Sequence, residues 1–547
     1  FDIENPENFD SNDPRMKIQR INTGCPIGCY YPNKASLFQM NLSGMNNLGF
    51  LGVYDTYYLA GLYGIENLQK LFYLEIVRSH VKYGYGTFYE YPIVNSVNEF
   101  IPFREYPPNL RFLNLSGNSA INKLVKIPSS VLAINAESVN IRTVQDIQST
   151  NADGKFPYLK LLNLSSNEKL HSIEGINEIA PALVELRVKN CGILGKAPEI
   201  PDTVEILEIS NNLFDSLTNL PSHLKQFTAN NNKLDNIPNI PKSTESINIS
   251  SNPLKDLDMS PSSGGSYLHS EESTEYALKE LLLSDSTKLP NGIDAFSNLE
   301  TLKANNVTVN GELPNLPNSL ISVELDNTNI SNLNGLTSCN KIKKLSAFNN
   351  SLENITGLND SKQIIENLNI GYNEITQGDF SDYTSVKNLN VSNNELENFV
   401  SPNVDELSFV GNPFTSSNPD LSSLGGNIKL NLNDSKPPKG KLQKYDMSPE
   451  QKISSLQTLG SSSSLNVDLV TSDMPLPKES WWENSRIVSI ETTGTGMSGD
   501  QNATIPNNCK TAKLISTDIT ELKNIPSVLE NLSLEKNNSL GNLSISN

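Results

Sequence analysis

A short apolar motif recurs along most of this chain at a nearly constant spacing. Residues 224–232 read LKQFTANNN, and residues 244–252 repeat the same pattern as TESINISSN. Between residues 183 and 404, successive copies start 18–23 residues apart, except for one step of 34. A register kept over this length predicts a repeat array. Clear copies of L-x-x-L-x-L-x-x-N, with apolar substitutes, start at Leu110, Leu159, Leu183, Val204, Leu224, Thr244, Leu278, Leu299, Leu320, Ile342, Ile365, Val386, Val404 and Leu529.

The spacing within each copy indicates a short strand and a bend. In extended backbone, alternate side chains point to opposite faces, so both residues of Leu-x-Leu turn inward and the residue between them turns outward. The final Asn is suited to hydrogen-bond backbone groups at the bend. Because one copy cannot bury its apolar side alone, we expect successive copies to stack. The predicted ladder consists of Asn118, Asn167, Asn212, Asn232, Asn252, Asn350, Asn373, Asn394, Asn412 and Asn537.

The pattern resembles the leucine-rich repeat family over most of residues 37–435 and again over roughly 486–547. "LPNLPNSLISVEL" is similar to the short Pro-containing repeats of bacterial effectors, and "NNVTVNGELPNLP" is similar to plant receptor repeats. The resemblance implies a repeat solenoid, a horseshoe with a parallel β-sheet on its concave face. Its convex side should be mostly extended, polyproline-like or 3-10 backbone with little α-helix.

Five segments differ in pattern. Residues 1–36 fit an N-terminal extension or cap, 37–109 fit atypical Tyr-rich repeats, and 110–435 form the main array. We expect 436–485 to interrupt the array as an insertion with a short helix, capped by Ser448, and a Trp pair. Residues 486–547 are predicted to be further repeats, truncated at the C-terminus.

Charge and apolar content exclude some partners. The formal net charge of −19 disfavours nucleic acid and anionic membrane surfaces. No run approaches the roughly 18 apolar residues of a spanning helix, so we expect no membrane insertion by this chain.

Catalytic motifs are missing from the sequence. The four histidines are not paired at metal-ligand spacing, and no phosphate-binding, dinucleotide-binding or nucleophile-elbow motif occurs. We therefore predict no enzyme activity, no cofactor and no metal site.

Two kinds of covalent modification are compatible with the sequence. Cys25 and Cys29 are close enough for a local disulfide, although two free thiols fit equally well. Fifteen N-x-[ST] sequons are about as many as chance predicts, so they permit N-glycosylation without establishing it. They start at Asn41, Asn114, Asn163, Asn248, Asn306, Asn329, Asn349, Asn354, Asn359, Asn390, Asn433, Asn502, Asn531, Asn537 and Asn542.

Outward strand positions are the expected contact surface. Most carry short hydrogen-bonding residues, which suit a hydrophilic protein or a glycan and equally suit a solvated sheet. Three large side chains interrupt this pattern of short polar residues, namely Phe348, Tyr372 and Val410. We expect these three to be exposed ligand-contact candidates. Alternatively, the insertion around Trp481 and Trp482 covers them.

Three functions fit these features. The first is a secreted or cell-surface recognition or adhesion protein that binds protein or glycan through its concave sheet. The second is a structural subunit of an extracellular coat, filament or appendage that self-associates. The third is a secreted effector scaffold.

Overall fold

The structure is a computed structural model. It describes residues 38–54, 59–78, 105–255, 275–286, 288–290, 292–309, 311–415, 419–433, 438, 445–459, 464–474, 476–477, 480–494, 502–517, 519–537, 540 and 542–545. The chain divides into two compact units. Unit 1 comprises Phe1–Met259 and Leu268–Leu282, and unit 2 comprises Ser260–Tyr267 and Leu283–Asn547. The division falls inside the predicted main array of residues 110–435.

Unit 1 is a stack of coils, most of which contribute one strand to a large parallel sheet. That sheet has the order β2-β4-β5-β7-β9-β10-β12-β14-β15-β16. The strands of the unit are β1 (Phe38–Asn41), β2 (Phe50–Tyr54), β3 (Leu59–Tyr63), β4 (Tyr73–Val77), β5 (Phe112–Asn114), β6 (Leu124–Ile127), β7 (Ala133–Asn135), β8 (Ile147–Ser149), β9 (Leu161–Asn163), β10 (Glu185–Arg187), β11 (Leu194–Ala197), β12 (Ile206–Glu208), β13 (Leu213–Leu217), β14 (Gln226–Thr228), β15 (Ser246–Asn248) and β16 (Glu280–Leu282).

Unit 2 has the same construction. Its large parallel sheet has the order β17-β18-β19-β20-β21-β22-β23-β24-β25-β27-β29. The strands of the unit are β17 (Thr301–Lys303), β18 (Ser322–Glu324), β19 (Lys344–Ser346), β20 (Asn367–Asn369), β21 (Asn388–Asn390), β22 (Glu406–Ser408), β23 (Asn427–Leu432), β24 (Asn466–Ser472), β25 (Ile487–Thr493), β26 (Asn502–Thr504), β27 (Thr511–Ile515), β28 (Glu521–Ile525), β29 (Asn531–Glu535) and β30 (Asn542–Ile545).

The predicted inward residues form the core of each unit. Leu186, Leu207, Phe227 and Ile247 are aligned on neighbouring strands, and none is more than 2% exposed. Burial of each such side chain contributes about 1.5–3 kcal/mol to folding. The sequence prediction of a parallel solenoid with inward aliphatic residues is confirmed.

The predicted asparagine ladder is also confirmed. Asn212 donates from Nδ2 to the carbonyl oxygens of Val188 (2.6 Å) and Ile209 (3.0 Å), and its Oδ1 accepts from the amides of Cys191 (3.1 Å) and Ile193 (3.2 Å). One amide side chain thus satisfies backbone groups of two adjacent coils in a dry interior. The same pattern of donation recurs at Asn118, Asn167, Asn232, Asn252, Asn373, Asn394 and Asn412.

A second row of asparagines lies on the surface beside this ladder. The residue before the ladder position has a left-handed backbone, a conformation that Asn tolerates better than most residues. The amides bond from coil to coil, as in Asn231 to Asn211 (2.7 Å) and Asn327 to Asn306 (2.8 Å). This conformational demand explains why so many copies carry the pair Asn-Asn.

The side of each coil opposite the sheet is mostly irregular or tightly turned. Besides two further helices that are given below, the described residues there include the helical turn α1 (Ile176–Ile179) and 3-10 helices at Ile65–Asn67, Val144–Asp146, Ile293–Ala295, Asn334–Leu336 and Thr356–Leu358. The predicted scarcity of helix is confirmed. The structure also contains small parallel sheets that the sequence analysis did not predict. They pair β1 with β3, β6 with β8, β11 with β13, and β28 with both β26 and β30.

The predicted interruption of the array at residues 436–485 is wrong, because the large parallel sheet continues through this segment. Strand β24 lies inside this segment and pairs with β23 and β25, because Leu465, Val467 and Leu469 supply the inward residues of another coil. The extra length lies away from the sheet and contains α2 (Pro449–Gln457), whose first turn is capped by the predicted Ser448.

The Trp pair belongs to the coil that follows β24. Helix α3 (Ser480–Glu483) holds Trp482 fully buried, and its indole N–H donates to the carbonyl oxygen of Thr504 at 2.9 Å. Among the described residues, the longest helix is α2, and none has the apolar length needed to cross a membrane.

Candidate functional site

The outward face of unit 2 contains a continuous group of amide and hydroxyl side chains. Strand pairing aligns Asn367 with Asn388, and it aligns Ser346, Asn369, Asn390 and Ser408 in a second row. All but Ser346 are at least partly exposed. We call these six residues the amide face. The second row forms because the position between the two inward residues holds a short polar side chain on four successive coils. The first row lies two residues earlier, on β20 and β21.

Hydrogen bonds connect the second row into one directional chain. Asn390 Nδ2 donates to Asn369 Oδ1 (2.9 Å), Asn369 Nδ2 donates to Ser346 Oγ (3.0 Å), and Ser346 Oγ donates to Asp326 Oδ1 (2.6 Å). In the first row, Asn388 donates to Asn367. These bonds hold the side chains in fixed orientations before any ligand arrives, which lowers the entropy cost of binding.

Ion pairs flank the amide face. Lys344 contacts Glu324 at 2.6 Å, Lys387 contacts Glu366 at 2.7 Å, and Lys429 contacts Glu406 at 2.7 Å. The hydrogen bond from Lys387 lowers the pKa of the Glu366 carboxyl. Pairs this exposed add little stability. Because each of these lysines is matched by a glutamate, the three flanking pairs add no net charge beside the amide face, although the chain as a whole has a net charge of −19.

The hydrogen-bond chain ends at a carboxylate with a perturbed pKa. Burial raises the pKa of Asp326, and hydrogen bonds from Ser346 Oγ and the Phe348 amide only partly offset that effect. Nearby Glu324 also raises it. The charged form of Asp326 is therefore disfavoured in the fold relative to the unfolded chain.

Asp326→Asn is expected to stabilise unit 2 at pH 7, because the amide oxygen keeps both acceptor roles without the charge. A carboxyl whose folded-state pKa is raised destabilises the fold above that pKa, and the penalty vanishes as the pH falls to its ordinary value of 3.8. Hydrogen-exchange rates of the amides in residues 325–348 should therefore be lower in D326N than in wild type at pH 7, and the two proteins should converge at pH 3. The exposed carboxylate variant D360N is the matched control, and an equal gain in D360N would contradict the explanation.

Two of the three bulky contact candidates are not exposed. Tyr372 is 3% exposed and Val410 is fully buried, whereas Phe348 is half-buried. The expected exposure of Tyr372 and Val410 is wrong because both follow the end of their strands, where alternation no longer decides side-chain direction. Tyr372 has a left-handed backbone, and its ring packs edge-on against Phe348 with centroids 5.2 Å apart.

The outward face of unit 1 differs in chemistry. Phe50, Tyr73 and Phe112 are aligned on neighbouring strands, with ring centroids 4.7 and 5.6 Å apart. Beside them, the buried carboxylate of Glu75 accepts hydrogen bonds from the hydroxyls of Tyr54 and Tyr73. Burial raises the pKa of Tyr73 to about 12. The sequence analysis missed this row, although strand alternation places Phe112 on the same face of β5 as Asn114.

The construction of the repeating coil identifies the fold. Strands of unit 1 and of unit 2 alike repeat the inward Leu-x-Leu and the buried Asn at one step per coil. This is a leucine-rich-repeat fold. No protein-family model matches the sequence, and no curated protein matches it.

Several solved leucine-rich-repeat structures are similar to this chain. YopM, an effector from Yersinia pestis, is 22% identical, with a TM-score of 0.41 over 57% of this chain and 80% of that one. The plant peptide hormone receptor RGFR1 is 17% identical, with a TM-score of 0.48 over 93% and 77%. The Arabidopsis receptor kinase HAESA is 17% identical, with a TM-score of 0.41 over 89% and 82%. Likeness at this level concerns the fold alone.

One serine, histidine and aspartate meet on the surface of the leucine-rich-repeat coils in unit 1. In a hydrolase triad the histidine lies between the serine and the carboxylate. Here Ser222 Oγ donates directly to Asp202 Oδ2 at 2.7 Å, and His223 Nδ1 lies 3.0 Å from the Asp202 carbonyl oxygen. The hydrogen bonds from Ser222 lower the pKa of Asp202. His223 Nδ1 also lies 3.1 Å from Ser222 Oγ and 3.8 Å from Asp202 Oδ2, so one ring nitrogen faces both groups instead of the ring bridging them through its two nitrogens. No cluster of three His, Cys, Asp or Glu in the described part of the chain could hold a metal ion.

Three cysteines are buried thiols in the leucine-rich-repeat core, namely Cys191, Cys339 and Cys509. Burial raises the pKa of each to about 11, which leaves little thiolate at neutral pH. Cys191 replaces a ladder asparagine and donates from Sγ to the Leu164 carbonyl oxygen at 3.3 Å. The possible disulfide of Cys25 and Cys29 lies outside the described residues.

The sequons occupy different environments. Asn329, Asn359 and Asn531 are exposed, whereas Asn163 is buried and Asn537 holds a ladder position. The structure does not describe the side chains of Asn41, Asn502 and Asn542. The remaining sequon asparagines are partly or fully exposed: Asn114, Asn248, Asn306, Asn349, Asn354, Asn390 and Asn433.

Proposed function

We propose that this chain is a non-enzymatic binding scaffold that recognises a protein or glycan through the outward face of its sheet in unit 2. The observation that carries the proposal is the amide face, where partly exposed donors and acceptors are held in two aligned rows. Aligned polar groups on rigid strands are suited to specific contact with a hydrophilic partner. Phe348 at the end of these rows adds the single partly exposed aromatic ring of the original three candidates.

The double variant N369R/N390R is expected to abolish this binding. Two arginines would cover both rows and break the hydrogen-bond chain at Asn369 and Asn390. Wild type and variant should be screened in parallel against a glycan array and a displayed peptide library. The matched control N334R/N340R adds the same charge at two exposed positions away from the strands and should bind as wild type does. Ligands bound equally by wild type, variant and control would refute this site.

We also propose that the protein acts outside the cell or at the cell surface, in recognition or adhesion. This is supported by sequons at exposed positions such as Asn329 and Asn359, where a glycan would not displace a core contact. Native protein should lose mass on glycosidase treatment, and the glycopeptides should include these two sites. An unchanged intact mass would count against the secretory route. Light scattering of the same sample tests self-association.

A further inference from the structure

We propose that the ligand of the amide face is an extended neutral polysaccharide that lies across the strands, with one sugar ring above each strand. This inference rests on the proposed function and specifies the partner class of the same site. It follows from three properties of the face: which hydrogen-bonding groups remain available, how far apart they lie, and how the surrounding charges are arranged.

The available groups are mainly donors. A side-chain amide has two N–H donors and one oxygen acceptor. Asn369 uses its oxygen to accept from Asn390 and uses one hydrogen to donate to Ser346. Asn390 uses its oxygen to accept from Ser392 Oγ (2.6 Å) and one hydrogen to donate to Asn369. The second hydrogen of each amide has no partner among the described residues. The face therefore offers a line of N–H donors to a ligand rich in oxygen acceptors.

The spacing of these donors favours sugar over peptide. Neighbouring strands lie about 4.8 Å apart, so the donors repeat at that distance along the sheet. In an extended peptide, groups on one side repeat after two residues, or about 6.6 Å, and fall out of step with the strands. One ring of an extended β-1,4-linked polysaccharide has nearly the length of one strand spacing. Because successive rings are flipped, equivalent hydroxyls return to the same side after two rings, or about two strand spacings, which still matches every second strand. Such a chain can therefore stay in register over several coils.

The charges around the face favour a neutral ligand. Each flanking lysine already contacts a glutamate, as in Lys344 with Glu324 and Lys387 with Glu366. A polyanion would have to displace these carboxylates and approach a chain with a net charge of −19. A protein partner would be expected to meet several aromatic or arginine anchors in desolvated pockets. The amide face offers one partly exposed ring, Phe348, at its end.

Gly371 packs closely against the Asn390 amide. It lies two residues beyond the end of β20, at the position that Phe348 has after β19 and Ser392 has after β21. A Cβ added at Gly371 would lie 3.0 Å from Asn390 Nδ2 and 3.1 Å from its Oδ1. Gly371 is buried, and the absence of a Cβ there leaves room for the Asn390 amide in its observed position. A sugar ring could place its C–H face against the Phe348 ring while its hydroxyls accept from the amides.

Calorimetry with β-1,4-linked oligosaccharides of increasing length tests the inference. Cello-oligosaccharides and chito-oligosaccharides of two to eight rings are the probes. The affinity should rise with length and level off at about four rings, because the amide face extends over the four neighbouring strands β19 to β22. N369A/N390A should weaken the binding of the hexaose by about tenfold or more, since it removes two donors. The matched control N334A/N340A should bind as wild type does, and circular dichroism should show that both variants fold.

The possible results separate the two proposals. Length-dependent binding that is lost in N369A/N390A supports the polysaccharide assignment. Binding of displayed peptides at the same face, without binding of either oligosaccharide series, overturns that assignment and leaves the scaffold function standing. Sugar binding that is unaffected by N369A/N390A also overturns it. Absence of any ligand in the glycan and peptide screens refutes the proposed function itself.

Discussion

Asn394→Ala is expected to increase the hydrogen-exchange rate of the Ile375 amide by about 100-fold, equivalent to about 3 kcal/mol. Asn394 is 1% exposed, and its Oδ1 accepts from the Ile375 amide at 3.1 Å. Its Nδ2 donates to the carbonyl oxygens of Ile370 and Val391, both at 3.0 Å. Alanine removes these partners at once and leaves buried backbone groups unsatisfied, which costs about 1–3 kcal/mol for each such group.

Exchange is the appropriate measurement because a repeat array opens coil by coil. Each coil contacts mainly its neighbours, so a single global free energy of unfolding is poorly defined. The effect should be largest in residues 370–394 and should fade in more distant coils. Asn388→Ala, which removes an exposed amide on the same coil, is the control and should change exchange by less than about threefold. Equal exchange in N394A and N388A would show that the ladder does not stabilise the coils.

The sequence predicted the sheet and ladder because both follow from local periodicity. An inward aliphatic at every second position and an Asn after the strand are visible one copy at a time. Where a copy was degenerate, prediction failed: β24 starts with Asn466, and its coil has no ladder asparagine, so that coil was assigned to an insertion. Pairing with β23 and β25 decides the structure there, and pairing is a property of neighbours rather than of one segment.

The candidate site was predicted less well than the fold. The aligned polar residues of the amide face could be read from the register, whereas their direction of hydrogen bonding could not. Tyr372 and Val410 were misplaced because strand alternation was extended past the strand ends. The buried Glu75 was missed because its partners Tyr54 and Tyr73 come from strands whose spacing is irregular in sequence.

Gly357→Ala is expected to destabilise the coils around residues 333–358 by about 3 kcal/mol, through overpacking against backbone. Gly357 lies in the 3-10 helix Thr356–Leu358, and an added Cβ would fall 2.0 Å from the Leu333 carbonyl oxygen and 2.5 Å from its carbon. Gly335 makes the same approach to Pro314, at 2.1 Å. Because the obstructing atoms are backbone, no side-chain rotation relieves the clash, and successive coils have to separate.

Gly425→Ala is the matched control, since the nearest atom to its added Cβ is 4.0 Å away. Exchange of the amides in residues 352–358 should accelerate about 100-fold in G357A and remain within about threefold of wild type in G425A. The physical reason is the spacing of the stack. Strand hydrogen bonds fix the distance between coils on the sheet side, so the opposite side must admit close backbone contact at the same interval. If G357A retained wild-type exchange, the coils would have to be able to spread on that side without loosening the sheet, and close backbone contact there would not be needed to hold the stack.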